Sequence, residues 1–201
     1  ELLSLPEIPP ASANGADVAA EYIRRFIACR HELLEVIDSR GEIRGAAPRC
    51  EVHGTSEWLH RVVHVLVFDG SNRLLLQKRS MAKTVAPGKW DTSVGGHVDC
   101  GESIESAMHR EMAEELGIEN IRPEYAYQYI HSNDFESELV YTYVCQFDGE
   151  VRFNRDEIDA AAFWELPEIE KNIGTGLFSD NFEHEFSFYR QWSGEQPSNI
   201  G

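Results

Sequence analysis

The sequence predicts an α/β fold built on a mixed β-sheet rather than on regular strand–helix alternation. Three observations predict it. An almost unbroken apolar run, RVVHVLVF at 61–68, is followed by the turn residues Asp69-Gly70-Ser71-Asn72 and by RLLLQKRS at 73–80, the pattern of a hairpin with a deeply buried first strand. Ser103 to Leu116 has helical periodicity, with Ile104, Ala107, Met108, Met112 and Leu116 on one face and Gly117 as the stop. Strand patterns at about 121–131, 138–147 and 158–164 then precede one amphipathic helix over roughly 180–192.

The segments before this core have their own signals. Residues 1–16, with three prolines and a Ser-Ala-Asn-Gly run, read as a lead-in without apolar period. Val18, Ile23, Phe26 and Ile27 recur at helical spacing behind Asp17, a suitable N-cap, and predict a helix to about Arg30. LLEVID, then Ser39-Arg40-Gly41, then EIRGAA reads as strand, turn and strand. The organisation expected is a tail and helix over 1–30, one globular domain over 31–193, and a short tail over 194–201.

A formal net charge of -17 argues against a nucleic-acid partner, because such proteins concentrate Lys and Arg to displace phosphate counterions. A small anionic ligand would need local cations or a divalent metal. No apolar stretch is long enough for a bilayer span, so no membrane partner is expected. The first residues lack the basic start and apolar core of a secretory signal, which points to a cytoplasmic protein. The four cysteines, Cys29, Cys50, Cys100 and Cys145, lack CxxC spacing and are expected to be free thiols.

The chemistry is concentrated in one stretch: Gly96, five residues, Glu102, seven residues, then Arg110-Glu111-Met112-Ala113-Glu114-Glu115-Leu116-Gly117-Ile118. On a helix, Glu111, Glu114 and Glu115 fall within about 100° of one another. Three carboxylates on one stripe repel unless a hard cation such as Mg²⁺ or Mn²⁺ joins them, and a diphosphate can complete the coordination of such an ion. Arg110, one turn before Glu114, is placed to orient carboxylates or touch phosphate, and Glu102 to pair with Arg110. Gly96 allows close backbone approach, so its carbonyl is a further candidate ligand. A bare ExxEE would be an ordinary solvated helix face, but seven fixed residues at roughly 7% usage each match by chance on the order of 10⁻⁸ per starting point.

This pattern resembles the Nudix box without a gap or substitution. The resemblance implies a Nudix fold, a mixed sheet in an α/β/α sandwich, and hydrolysis of a diphosphate bond. It implies that Glu111, Glu114, Glu115 and the Gly96 carbonyl hold Mg²⁺ or Mn²⁺ while Arg110 and Glu102 organise the site.

A longer stretch, LLEVIDSRGEI through LHRVVHVLVF, LLLQKRSMAK and PGKWDTSVGGH, resembles the Nudix branch that includes type 1 isopentenyl-diphosphate isomerase. In that comparison His53, His60, His97, Glu136 and Glu138 fall where the isomerase holds a metal, and Arg79 and Lys83 where it contacts diphosphate. Two catalytic parts are missing. The isomerase cysteine falls at Gly95, and its FSPW segment reads Phe178-Ser179-Asp180-Asn181, without the tryptophan. The box, by contrast, keeps all three glutamates. The leading expectation is therefore a pyrophosphohydrolase acting on a nucleoside diphosphate derivative or other organic diphosphate. An isomerase with an altered acid and a non-catalytic diphosphate-binding module are the alternatives, and Glu115, Glu136, Glu138 and Glu157 the candidate general bases. The N-terminal helix and hairpin could serve a homodimer contact.

Overall fold

The computed structural model describes residues 33–83 and 85–195. The elements are β1 (Leu33–Ile37), β2 (Ile43–Pro48), α1 (Arg49–Val52), β3 (Leu59–Phe68), β4 (Leu74–Arg79), β5 (Trp90–Asp91), β6 (Val94–His97), α2 (Ile104–Leu116), β7 (Glu124–Ser132), β8 (Ser137–Gln146), β9 (Ile158–Trp164), α3 (Leu166–Asn172) and α4 (Asp180–Glu195). The expected helix over 17–30 lies outside the described residues, and with it part of the surface considered for a dimer.

Strand β3 is the axis of the sheet. It pairs in parallel with β8 along its whole length, from Leu59 opposite Ser137 to Phe68 opposite Gln146, and antiparallel with β1 and β6. Period-two alternation sends its side chains to two different cores. Val63, Val65 and Val67 pack with Met108, Met112 and Leu116 of α2, while Leu66 and Phe68 pack with Ile169 of α3 and Phe182, Phe186 and Tyr189 of α4. A strand apolar on both faces is thus covered by helices on both faces, and the α/β/α sandwich follows.

Helix α2 has the ends its sequence predicts. The Ser103 hydroxyl accepts from the Ser106 amide at 3.1 Å. Gly117 adopts φ 64°, and its amide and that of Ile118 donate to the Ala113 and Met112 carbonyls, a Gly-terminated C-cap.

The hairpin expected from 61–80 is corrected in one respect. β3 and β4 pair only at Phe68 opposite Leu74 and then diverge. The segment Trp90–His97 enters between them, β5 pairing with β4 and β6 with β3, and β9 takes the other side of β4. Each strand has backbone donors and acceptors to satisfy on both edges, and a chain placed between them does so for both. The cleft described below opens where the two strands part.

Cys50 is disulfide-bonded, whereas Cys100 and Cys145 are free. The expectation of four free thiols is therefore wrong for Cys50, and nothing in the local cysteine spacing signals the bond. No helix among the described residues is long and apolar enough to cross a membrane.

Candidate active site

A cleft of about 760 Å³ runs across the point where β3 and β4 separate. On one side lies α2 with Arg110, Glu111, Glu114 and Glu115. The floor is the β5–β6 segment, and the far wall carries His53, His97, Glu136 and Glu138. Glu102 and His60 stand just behind these walls.

The carboxylates of α2 differ sharply in environment. Glu115 is buried, and its Oε2 accepts from the Gly95 amide and from Gln77 Nε2, both at 3.1 Å. Burial, and then the neighbouring Glu111 charge, pushes its carboxyl up to about 8. Glu111 lies against Gly96, where any Cβ would overlap the Glu111 carboxyl group. Burial pushes Glu111 up to about 7, partly opposed by Arg110. Glu114 is exposed, with 60% of its side chain accessible. The three carboxylates predicted to share a stripe therefore line one cleft at three depths.

Arg110 joins these parts. Its Nε and Nη2 donate to the two oxygens of Glu102 at 3.1 and 2.8 Å, its Nη1 to Glu111 at 2.6 Å and Glu114 at 3.4 Å, and its Nη2 to the His97 carbonyl at 2.9 Å. The bidentate contact holds Glu102 below the usual carboxylate range and raises Arg110 above its ordinary value. Glu102 is thus a partner of Arg110, as its place ahead of the helix suggests.

His53, His60 and His97, from three separate segments, meet at the other wall with ligand atoms within 4.8 Å of one another. Nε2 of His53 and Nε2 of His97 are 3.1 Å apart. Glu136 Oε2 lies 3.5 Å from His53 Nδ1, and Glu138 Oε1 3.8 Å from His60 Nε2. His60 is fully buried and its Nε2 has no hydrogen-bond partner. Burial, with His97 and His53 beside it, pushes His60 down to about 3, so its nitrogen is a neutral lone pair. Burial also raises both Glu136 and Glu138. An orphaned imidazole nitrogen amid two more imidazoles and two carboxylates is a donor set that suits a transition metal or Mn²⁺.

Arg79 and Lys83 reach the same cleft already paired. Arg79 donates to Asp91 and to the Val85 carbonyl at 3.1 and 3.0 Å, and Lys83 to Glu157 at 2.6 Å. Sequence reasoning missed Gln77, His64 and Glu185. The signals were present: Gln77 interrupts LLLQKR, and His64 interrupts a run of valines.

The NUDIX domain family matches residues 58–196. The chain belongs to the Nudix family. Among its relatives, the isopentenyl-diphosphate Delta-isomerase of Streptomyces coelicolor is 31% identical over 176 residues, covering 85% of this chain and 83% of that one. A protein of Clostridium acetobutylicum named as an uncharacterized Nudix hydrolase is 33% identical over 174 residues, covering 75% and 80%. A solved Deinococcus radiodurans structure shares the fold with a TM-score of 0.69 at 24% identity, covering 80% of this chain and 99% of that one. These likenesses bear out a Nudix fold in the isomerase-like branch.

Proposed function

We propose that this Nudix protein is a metal-dependent pyrophosphohydrolase that splits the diphosphate bond of a nucleoside diphosphate derivative or another organic diphosphate. One observation carries the reading: Glu111, Glu114 and Glu115 line one cleft beside Arg110 and the Gly96 backbone, while Gly95 puts no thiol at the cleft floor. Glu111, Glu114, Glu115 and the Gly96 carbonyl would hold Mg²⁺ or Mn²⁺. Such an ion activates water and offsets charge on the diphosphate oxygens.

The protein's own groups do the positioning. Gln77 and the Gly95 amide fix Glu115, and Gly96 lets Glu111 approach the backbone. Arg110 aligns Glu111 and Glu114 from one guanidinium, and its tie to the His97 carbonyl sets the box helix against the histidine wall. Arg79 and Lys83 supply cationic contacts to phosphate oxygens by exchanging their Asp91 and Glu157 partners. Glu157, held by Lys83 at the cleft edge, stays a candidate base beside Glu115, Glu136 and Glu138.

A second reading, an isoprenoid diphosphate isomerase with an altered acid, is favoured by the assembled His53, His60, His97, Glu136 and Glu138 group, which we read as a second metal site. Incubation with nucleoside diphosphate derivatives and isopentenyl diphosphate, with Mg²⁺ or Mn²⁺, separates the readings by product. Monophosphate release without solvent deuterium entering isopentenyl diphosphate is expected. Deuterium uptake at a rate comparable with hydrolysis would promote the isomerase.

A further inference from the structure

His64 stands in the most apolar strand of the protein, between Val63 and Val65, both wholly buried. Its register partners are Gly95 of β6 and Thr142 of β8. From this position the imidazole points toward α4, whose buried face of Phe182, Phe186 and Tyr189 also carries Glu185. Glu185 is 0% exposed, yet four donors satisfy its carboxylate. They are His64 Nδ1 at 2.6 Å, Tyr127 OH at 2.5 Å, Tyr129 OH at 2.8 Å and Thr142 Oγ1 at 3.0 Å.

A buried ion pair is weak evidence of stability, because apolar residues of similar volume often serve as well. What the pair does provide is orientation. Nδ1 is committed to Glu185, which leaves Nε2 free to meet a ligand, as a second donor when the imidazole is protonated. No group among the described residues hydrogen-bonds Nε2, and the ring lines the cleft. Burial opposes charge on this imidazole, but Glu185, with Glu138 and Asp91 nearby, outweighs it and raises His64.

Gly95 explains the access. A Cβ there would lie 3.2 Å from His64 Cδ2 and 3.3 Å from Nε2, so any side chain at 95 would stand on the edge of the ring that carries the free nitrogen. The Gly95 amide is itself fixed by Glu115 at 3.1 Å. The open edge of His64 is therefore next to the box. We propose that His64 is a substrate-contacting residue of this site, its Nε2–H donating to an oxygen of the bound diphosphate compound in the space left by Gly95, with Glu185 as its positioning residue. The proposal rests on the diphosphate-binding reading above.

Imidazole ¹⁵N spectra of the full chain test it, with His64 assigned through His64→Gln and with two Mg²⁺-bound probes, α,β-methylene-ADP and methylenediphosphonate. The Nε2 resonance should shift on saturation. A shift with both probes assigns a phosphoryl oxygen, and a shift with the nucleotide analogue alone assigns an oxygen on its organic side. His64→Gln and Glu185→Gln should each raise the Kd of α,β-methylene-ADP about tenfold, as loss of one hydrogen bond to a charged group implies, with Glu185→Asp recovering part of it. A silent Nε2 resonance with binding still abolished by Glu114→Gln would overturn the His64 assignment alone. An unchanged Kd in folded His64→Gln would do the same. Failure of both probes to bind wild type with Mg²⁺ would overturn the diphosphate reading and this inference together. If His64→Gln does not fold, Glu185→Asp supplies the assignment, because it perturbs the same ring through Nδ1.

Discussion

The two walls of the cleft are built in opposite ways. The box wall comes from one loop and one helix within residues 96–118, wired through a single guanidinium. The histidine wall gathers His53 after α1, His60 from β3, His97 from β6, and Glu136 and Glu138 around the start of β8. The first is local and carboxylate-rich, the second dispersed and imidazole-rich. Oxygen donors at one end and nitrogen donors at the other suit different cations. A cleft with two such ends would suit a hard cation at one and a softer cation at the other.

The comparison breaks most directly at the box. Glu114→Gln or Glu115→Gln should lower turnover at least about a hundredfold with the melting temperature little changed, since in the proposed site each would remove a metal-ligand charge rather than a packing group. An unchanged kcat in either would remove the box wall from the mechanism. Gly96→Ala should lower kcat roughly thirtyfold, because the methyl group displaces the Glu111 carboxylate. Normal turnover together with normal Mg²⁺ affinity in that variant would show that Glu111 need not touch the strand.

Arg79→Ala and Lys83→Ala sharpen the picture at the point between the walls. Each should raise KM about five- to tenfold with kcat nearly constant, and an unmoved KM in both would remove them from phosphate contact. The smallest effect concerns pH. Glu111 and Glu115 are raised in the folded protein, so folding takes up protons between their unfolded values and about 7 to 8. The stability they lend at low pH is therefore lost as pH rises through that window. Without metal the melting temperature should fall by a few degrees from pH 5 to pH 8, and Mg²⁺ should restore more at pH 8 than at pH 5. Calorimetry that found equal Mg²⁺ stabilisation at both values would separate ion binding from these two carboxyls.

Legibility followed the same division. The α2 helix, its caps and the box could be read directly, because Ser103, Gly117 and the three glutamates act within a few turns of chain. The histidine wall was legible only through resemblance, since nothing local links His53 to Glu138. The parting of β3 and β4 was hidden because both strands are apolar enough to suit a full hairpin, and β3 pairing partners 29 to 78 residues away decide otherwise. The α3 helix was missed altogether: its seven residues, LPEIEKN, are too few for a clear helical period. Glu185 did leave a trace, a charge at the buried spacing of Phe182, Phe186 and Tyr189, which marks a polar group needing partners inside the fold.

The parallel ladder between β3 and β8 bears on how the molecule comes into being. Parallel strands cannot be joined by a tight turn, and here the whole of β4 to β7 lies between the two partners. Closing so long a loop is entropically slow, whereas α2 needs only its own residues and caps to begin forming. During refolding the helical signal in circular dichroism should therefore recover before catalytic competence. The His60 and Glu138 pair, register neighbours on that ladder, would meet only when the last large barrier is crossed.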